Sequence, residues 1–295
     1  MKSDSVLCLI GNTPVVELQH FNTNPGVRIL AKLEGNNPGG SVKDRPVLYM
    51  FRDAEGCGIL RPGSQILEAT SGNTGIAMAM VAALRGYRFQ AVMPESTSIE
   101  RRKVMKMFGA DIVLTDAAGG TNLSIRTVAQ MLAEDPSWVN LNQFENRANP
   151  RSHEETTGPE ILRDVPNVTH VVAGMGTGGT LTGLAACMHK HAPQVKVVGV
   201  EPIASSKIQG LRNMTAYTPG IFSFNNLDQT LRMTEDAPAF SLARELYHRE
   251  GVSVGISGGA ALWGAMELAR TLRCGVIVAV FPDRGDRYVS TTLFE

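Results

Sequence analysis

The sequence has few cysteines, few aromatic residues and no excess charge of either sign. Its four cysteines form no C-x-x-C pair, so we predict neither a metal site nor a disulfide framework and expect buried, unreactive thiols. Lysine plus arginine and aspartate plus glutamate both number 28, which argues against nucleic-acid binding, because phosphate contacts need a basic surplus. No apolar run approaches membrane-spanning length and no signal peptide is recognisable, so we expect a cytoplasmic protein without a membrane partner.

Strand-like apolar runs alternate with helical patterns along almost the whole chain of 295 residues. The predicted strands are 65–69, 89–93, 111–115, 138–142, 170–173, 195–200, 252–254 and 276–281. The predicted helices are 75–84, 99–108, 123–133, 180–189, 240–250 and 259–272. This alternation predicts an α/β fold with mostly parallel sheets covered by helices. The basic run 101–103 is interpreted as a solvated helix face, and the aperiodic residues 205–228 as a long surface loop.

A breaker-rich segment at residues 146–150 separates the two series and predicts a domain junction. We expect a smaller α/β domain of about residues 38–147. A larger α/β domain would combine residues 1–37 with residues 148–295. Both are expected to be doubly wound, with the active site in the cleft between them.

Three strand-to-helix turns are rich in glycine and hydroxyl residues, and ligands bind at such turns in open α/β sheets. The turn Thr70–Gly75 suits a carboxylate or phosphate, although helix capping explains part of its composition. The turn Gly174–Thr180 can close backbone amides around a compact phosphate. It also matches G-x-G-x-x-G, with Glu201 placed like a ribose-binding acid, so a dinucleotide-dependent dehydrogenase stays open. The turn Gly255–Gly259 holds one hydroxyl, which by itself indicates a helix cap.

Lys43 follows a breaker-rich loop and is expected in the first turn of a helix. The positive end of the helix dipole disfavours an ammonium there, which lowers the pKa of the amine toward the neutral form that imine chemistry needs. Most lysines are solvated surface charges. A reactive amine and a loop that binds one phosphate are nevertheless the two features that pyridoxal phosphate (PLP) requires. The Ser257 hydroxyl could then face the pyridine nitrogen of the cofactor.

Several motifs, in their order and spacing, resemble the O-acetylserine sulfhydrylase and cystathionine β-synthase family of fold-type II PLP enzymes. They are Ile10–Pro14 (IGNTP), Ser41–Arg45 (SVKDR), Thr70–Gly75 (TSGNTG), Gly176–Thr180 (GTGGT) and Gly285–Thr291 (GDRYVST). Within this family, Arg212 and the runs Tyr217–Phe222 and Asp283–Tyr288 are similar to the cysteine synthase B branch.

The resemblance implies a role for each residue that matches a family motif. Lys43 would hold the cofactor covalently and act as acid and base at the substrate α-carbon, and Asn73 would bond the cofactor 3′-oxygen. Ser257 would meet the ring nitrogen, although the family usually has two serines where this chain has Ser257-Gly258. The cofactor phosphate would be held by Gly176, Thr177, Gly178, Gly179 and Thr180. The substrate carboxylate would be bound by Thr70, Ser71, Gly72, Thr74 and Gln143.

The implied reaction is a β-replacement in which O-acetyl-L-serine exchanges acetate for sulfur from sulfide. In the B branch thiosulfate can replace sulfide and gives S-sulfocysteine, and Arg212 is a candidate contact for that anion, with a surface arginine as the alternative. A homodimer is typical of the family. A serine or threonine dehydratase and a synthase that uses O-phosphoserine are alternatives within the same family.

Overall fold

The structure is a computed structural model that describes residues 3–22, 24–70, 72–215 and 217–294. Among these residues the strands form a six-stranded and a four-stranded sheet. The strands are β1 (Val15–Glu17), β2 (Val27–Leu33), β3 (Gln65–Ala69), β4 (Arg88–Pro94), β5 (Asp111–Thr115), β6 (Trp138–Val139), β7 (His170–Gly174), β8 (Lys196–Glu201), β9 (Gln229–Arg232) and β10 (Gly275–Phe281). The helices are α1 (Asp44–Gly56), α2 (Asn73–Arg85), α3 (Ile99–Met107), α4 (Gly120–Glu134), α5 (Ala148–Ser152), α6 (Gly158–Asp164), α7 (Gly179–His191), α8 (Ala237–Glu250) and α9 (Ile256–Thr271).

The smaller sheet has the order β5-β4-β3-β6, and its strands are parallel. The inner strand β3 is buried on both faces, as expected for a parallel sheet covered by helices, and its one charged residue, Glu68, is buried with the apolar ones. Helix α2 is buried from Thr74 to Ala82 because alanine, methionine and valine occupy all of its faces. The predicted α/β class and the predicted limits of β3 and β5 are therefore confirmed.

The larger sheet has the order β1-β2-β10-β7-β8-β9; β1 is antiparallel to β2 and the other pairs are parallel. Strand β2 pairs with β10 along its whole length, from Val27 opposite Gly275 to Leu33 opposite Phe281. The sequence pattern predicted none of β1, β2 and β9. In β2 the charge of Lys32 interrupts the apolar run, yet this side chain is fully buried because Glu160 pairs with it at 2.7 Å.

Two sequence-based expectations need correction. The predicted strand 252–254 is wrong, because residues 251–255 form no ladder and connect α8 directly to α9. The predicted strand 138–142 ends at Val139, because the Glu68 carboxylate takes the amides that would continue the ladder. Within the predicted junction at residues 146–150, α5 begins at Ala148 and continues through a π-helical turn into α6.

Among the described residues, only one of the cysteines is buried. Cys187 lies inside α7, where it packs against Gly158. The expectation of buried thiols is wrong for the three exposed cysteines, which lie at element ends or in short turns; they are Cys8, Cys57 and Cys274. Within the described part of the chain, no helix is long and apolar enough to span a membrane.

Candidate active site

A cavity of about 530 Å³ opens where strands of both sheets end. Its wall includes the carboxyl ends of β3, β4, β7 and β10, which is where parallel α/β sheets bind ligands. It brings together all the predicted site residues except Ser71, which lies outside the described residues, and Gly179, which opens α7 behind the wall. The predicted residues that line it are Lys43, Thr70, Gly72, Asn73, Thr74, Gln143, Gly176, Thr177, Gly178, Thr180, Arg212 and Ser257.

Lys43 immediately precedes α1, one position before the expected first turn. The neighbouring Val42 donates its N–H to the carbonyl of Pro282 at 2.8 Å, so the segment after β10 fixes the position of the lysine. Burial lowers the pKa of the Lys43 amine to about 8, although the Asp283 carboxylate acts in the opposite direction. Desolvation is therefore the main cause, and the amine is partly neutral near physiological pH.

The turn that begins α2 presents its polar groups toward the cavity. Thr70 uses its hydroxyl oxygen to accept the Gly75 N–H at 2.9 Å, which folds the turn back on β3. Thr74 donates from its hydroxyl to the side-chain oxygen of Gln143 at 2.6 Å. The first N–H groups of a helix have no partner within the helix, so this turn can bind a carboxylate.

Gln143 is held in place by the buried carboxylate of Glu68. This carboxylate accepts N–H groups from Asn142 at 3.0 Å and Gln143 at 3.2 Å, and the Asn140 side-chain amide at 2.9 Å. Asn142 has a left-handed backbone with φ of +49°, which costs energy in a residue other than glycine. Glu68 thus stabilises a strained loop that places Gln143 beside Thr74. Burial raises the pKa of Glu68 to about 7, against the lowering effect of the accepted hydrogen bonds.

The turn after β7 fits a phosphate group. Gly178 has φ of +83°, and a β-carbon there would lie 2.5 Å from the β-carbon of Phe222. A β-carbon on Gly176 would lie 2.5 Å from the carbonyl oxygen of Gly210. Thr177 and Thr180 add hydroxyls, and α7 directs its N-terminus toward the same space. The narrow glycine backbone, the donors and the helix dipole suit the phosphate of PLP.

Two residues of the C-terminal motif complete the site, although sequence reasoning gave them no role. Asp283 accepts hydrogen bonds from the Asn73 side-chain amide at 2.7 Å and from the Tyr288 hydroxyl at 2.8 Å. Arg287 donates to the Asn73 side-chain oxygen and to the Gly39 carbonyl. Hydrogen bonds thus hold both the nitrogen and the oxygen of the Asn73 side-chain amide. The motif itself was recognisable from the sequence, but these distances were not.

Arg101 is not the solvated side chain that the basic run suggested. It is 3% exposed, lines the cavity and donates to the side-chain oxygen of Gln209. Its guanidinium carbon lies 4.7 Å from the centre of the Tyr288 ring. The interpretation of a solvated face is therefore wrong for Arg101. The reason is that α3 packs its first turn against the C-terminal segment, which the local pattern does not reveal.

Ser257 and Glu201 lie in different environments. Ser257 is buried in the first turn of α9 and lines the cavity, since this helix begins at Ile256 and not at the expected Gly259. Glu201 is 1% exposed and is not among the lining residues. Its carboxylate accepts the Met214 N–H at 3.0 Å and the Arg232 guanidinium at 2.9 Å. The dinucleotide alternative therefore lacks its ribose-binding acid.

Comparisons with known proteins agree with this geometry. The family described as "Pyridoxal-phosphate dependent enzyme" matches residues 6–283. Cysteine synthase B of Salmonella typhimurium is 45% identical over 97% of this chain and 94% of its own length. The cysteine synthase of Aquifex aeolicus is 43% identical over 99% of this chain and 92% of its own.

Solved structures are similar in fold over nearly the whole chain. The crystal structure of an O-ureido-L-serine synthase has a TM-score of 0.93 and 41% identity, covering 100% of this chain and 96% of that one. A hydrogen sulfide-producing enzyme from Fusobacterium nucleatum has a TM-score of 0.91 and 38% identity, with 98% and 100% covered. The fold is that of fold-type II PLP enzymes. The chain therefore belongs to the cysteine synthase family of PLP-dependent enzymes, in its B branch.

Proposed function

We propose that this enzyme makes L-cysteine from O-acetyl-L-serine and sulfide. The C–O bond at the β-carbon breaks, acetate leaves with the bonding electron pair, and the sulfur of HS⁻ forms the new C–S bond. The observation that carries this proposal is the single cavity in which Lys43, the turn before α2 and the turn before α7 meet. Relatives named cysteine synthase B, over nearly the whole chain, support it.

The cofactor would be held by Lys43, by the turn Gly176–Thr180 and by Ser257. When bound, PLP withdraws electrons from the α-carbon of the amino acid, which makes the α-proton acidic and lets the β-substituent leave. Lys43 is the proposed acid and base. Its amine, with a pKa lowered to about 8 by burial, can accept the α-proton and return it to the product.

The amino-acid substrate would be held by its carboxylate. The turn Thr70–Thr74 supplies N–H and hydroxyl groups, and Gln143 is already joined to Thr74 at this place. Asn73 would meet the 3′-oxygen of the cofactor from a side chain fixed by Asp283. Excluding water from the cavity protects the reacting β-carbon from hydrolysis.

The domain division and the assembly are also proposals. All four strands of the smaller sheet fall within residues 38–147, and the strands of the larger sheet fall within 1–37 and 148–295. This supports two α/β domains with the active site between them. A homodimer is proposed from the family resemblance.

Thiosulfate is proposed as a second sulfur donor. Arg212 lines the cavity, and its guanidinium carbon lies 4.9 Å from the Phe144 ring centre and 4.8 Å from that of Tyr217. A guanidinium packed against two aromatic rings keeps its edge available for hydrogen bonds to oxygen atoms. The sulfonate oxygens of thiosulfate fit that edge.

The experiment that tests the main proposal is visible absorbance of the purified holoenzyme. O-acetylserine should shift the band of the bound cofactor to longer wavelength, and sulfide should return it to the resting position with cysteine as product. A shift with O-phosphoserine alone would redirect the proposal to that substrate. Release of ammonia without sulfide would indicate a dehydratase. The variant Lys43→Ala, which cannot bind the cofactor covalently, is the control and should give neither step.

A further inference from the structure

The Thr177 hydroxyl, which lines the cavity, has both of its acceptor positions occupied. Its oxygen accepts a side-chain N–H of Asn149 at 3.3 Å and the backbone N–H of Gly179 at 3.3 Å. A threonine hydroxyl has two lone pairs and one hydrogen, so only the hydrogen remains for a further bond. Toward a ligand in the cavity, Thr177 can therefore act only as a donor.

The orientation of the Asn149 amide is fixed by a second contact. Its nitrogen also donates to the backbone carbonyl of Gln143, at 2.8 Å. A carbonyl can only accept, so the nitrogen and not the oxygen of the amide must face Gln143 and Thr177. The amide oxygen lies on the other side, 2.0 Å from where a β-carbon on Gly179 would be, and has no hydrogen-bond partner among the described residues. Asn149 thus offers Thr177 a donor and no acceptor.

Asn149 is held rigidly behind the cavity wall. It is 1% exposed and lies in α5, where its N–H bonds the Asn146 carbonyl at 3.0 Å and its carbonyl accepts the Ser152 hydroxyl at 2.7 Å. A hydroxyl hydrogen rotates freely unless its oxygen is held by other bonds. Because Asn149 and Gly179 occupy the lone pairs of Thr177, its hydrogen is oriented before any ligand arrives. A donor oriented in advance binds an anion without a further cost of ordering.

We propose that Asn149 is a positioning residue for cofactor binding, which keeps the Thr177 hydroxyl as a hydrogen-bond donor to the phosphate of PLP. The inference rests on the proposed function in one respect, the assignment of that phosphate to the turn Gly176–Thr180. Asn149 is absent from the described residues that line the cavity, so it acts through Thr177. The same amide bonds Gln143, and it therefore joins the phosphate turn to the segment proposed to bind the amino acid.

The test is a fluorescence titration of the full-length apoenzyme with PLP and, separately, with pyridoxal, which lacks the phosphate. Asn149→Ala should raise the Kd for PLP about 3- to 10-fold, the effect of about one hydrogen bond, and leave the Kd for pyridoxal unchanged. An equal rise for both ligands would show a merely structural role and overturn the inference. Asn146→Ala is the matched control, because its amide bonds the Leu141 carbonyl at 2.8 Å in the same segment. It should leave both affinities unchanged.

Two further variants test whether Asn149 acts through Thr177. In a Thr177→Val background the hydroxyl is absent, so adding Asn149→Ala should raise the Kd for PLP no further, whereas a full additional rise would contradict the inference. Asn149→Asp keeps the size of the side chain, which favours folding, and replaces the amide donor by oxygen atoms that attract the Thr177 hydrogen away from the phosphate. Its Kd for PLP should also rise, and an unchanged value would overturn the inference.

The inference and the proposed function fail in different ways. If Thr177→Val loses the preference for PLP over pyridoxal but Asn149→Ala retains it, only the role of Asn149 is refuted. If wild type binds PLP and pyridoxal equally well, the assignment of the phosphate to this turn fails and the inference fails with it. If Asn149 supports PLP binding but O-acetylserine causes no spectral change in the holoenzyme, cysteine synthesis is refuted and the role of Asn149 stands.

Discussion

The side-chain amide of Asn73 donates a hydrogen bond to the carboxylate of Asp283 over 2.7 Å. Asn73 begins α2 on the smaller sheet, and Asp283 follows the last strand of the larger one. The same carboxylate oxygen accepts the Tyr288 hydroxyl, and its charge raises the pKa of the Lys43 amine against the effect of burial. One buried carboxylate thus joins both walls of the cavity and influences the proposed catalytic amine.

Replacing Asp283 by asparagine should lower the pKa of Lys43 further. A carboxylate favours the ammonium form, so its removal leaves burial unopposed and moves the pKa of the amine below about 8. Only the neutral amine captures PLP, so the rate of cofactor uptake by the apoenzyme should reach half its maximum at a lower pH than in wild type. Stopped-flow absorbance over a pH series measures this rate and the pH of its midpoint. Asp286→Asn, at an exposed position, should leave the midpoint unchanged, and an upward shift in Asp283→Asn would contradict the prediction.

Replacing Glu68 by glutamine should change how stability depends on pH. The pKa of Glu68 is raised by burial from 4.5 to about 7, so the folded state binds more protons than the unfolded state between these values. Wild type therefore loses stability as pH rises through this window, by up to about 3 kcal/mol relative to Glu68→Gln. Urea unfolding of the holoenzymes at several pH values measures the difference.

The control for Glu68 is Glu134→Gln, an exposed carboxylate at the end of α4. Its stability relative to wild type should stay constant over the same pH range. If the difference in unfolding free energy between Glu68→Gln and wild type is also constant over this pH range, Glu68 does not titrate there.

Because Glu68 positions Gln143, the variant Glu68→Gln should also raise KM for the amino acid more than it lowers kcat.

Arg212→Gln should separate the two sulfur donors. Thiosulfate offers oxygen atoms to the guanidinium and sulfide offers none, so the loss of charge-assisted hydrogen bonds should reduce kcat/KM for thiosulfate about 10- to 100-fold. The value for sulfide should change by less than about threefold, since only a diffuse electrostatic attraction is lost. Steady-state kinetics measure kcat/KM with each donor. The control is Arg126→Gln, at an exposed position. Equal losses with both donors would remove Arg212 from donor recognition.

Gly178→Ala should weaken cofactor binding specifically. The added β-carbon would meet Phe222 at 2.5 Å, and the φ of +83° disfavours alanine, so the turn must move away from the phosphate. We expect the Kd for PLP to rise about 5- to 30-fold, which corresponds to a cost of about 1–2 kcal/mol, the size of the left-handed strain. Gly251→Ala is a matched control, because its φ is +66° and its added β-carbon meets open space. It should lose stability but retain PLP affinity in a fluorescence titration.

Much of the fold could be predicted because its signals are local. The limits of β3 and β5 follow from apolar runs between breakers, and α2 follows from its continuous run of alanine and methionine. Strand β2 could not be predicted because the burial of Lys32 depends on Glu160, which is distant in sequence. The extent of β6 was overestimated for a similar reason, since Glu68 takes the amides that follow it.

In the candidate site, too, some residues could be predicted from local sequence and others could not. The glycine-rich turns and Lys43 are recognisable because each needs only a short stretch of sequence. Arg101 was misinterpreted because its neighbours in α3 are also basic, and only the packing of that helix shows which arginine faces the cavity. The part played by Asp283 depends on a contact with a residue 210 positions earlier, which no local pattern records.

The pairing of β2 with β10 has a consequence for biosynthesis. These two neighbours in the larger sheet lie far apart in the sequence, so β2 leaves the ribosome roughly 10–50 s before its partner at the usual rate of translation. The strands of the smaller sheet, by contrast, lie within one contiguous stretch and can pair while synthesis continues. We therefore expect the smaller sheet to form first in the nascent chain, and the edge of β2 that pairs with β10 to need shielding until β10 has been synthesised.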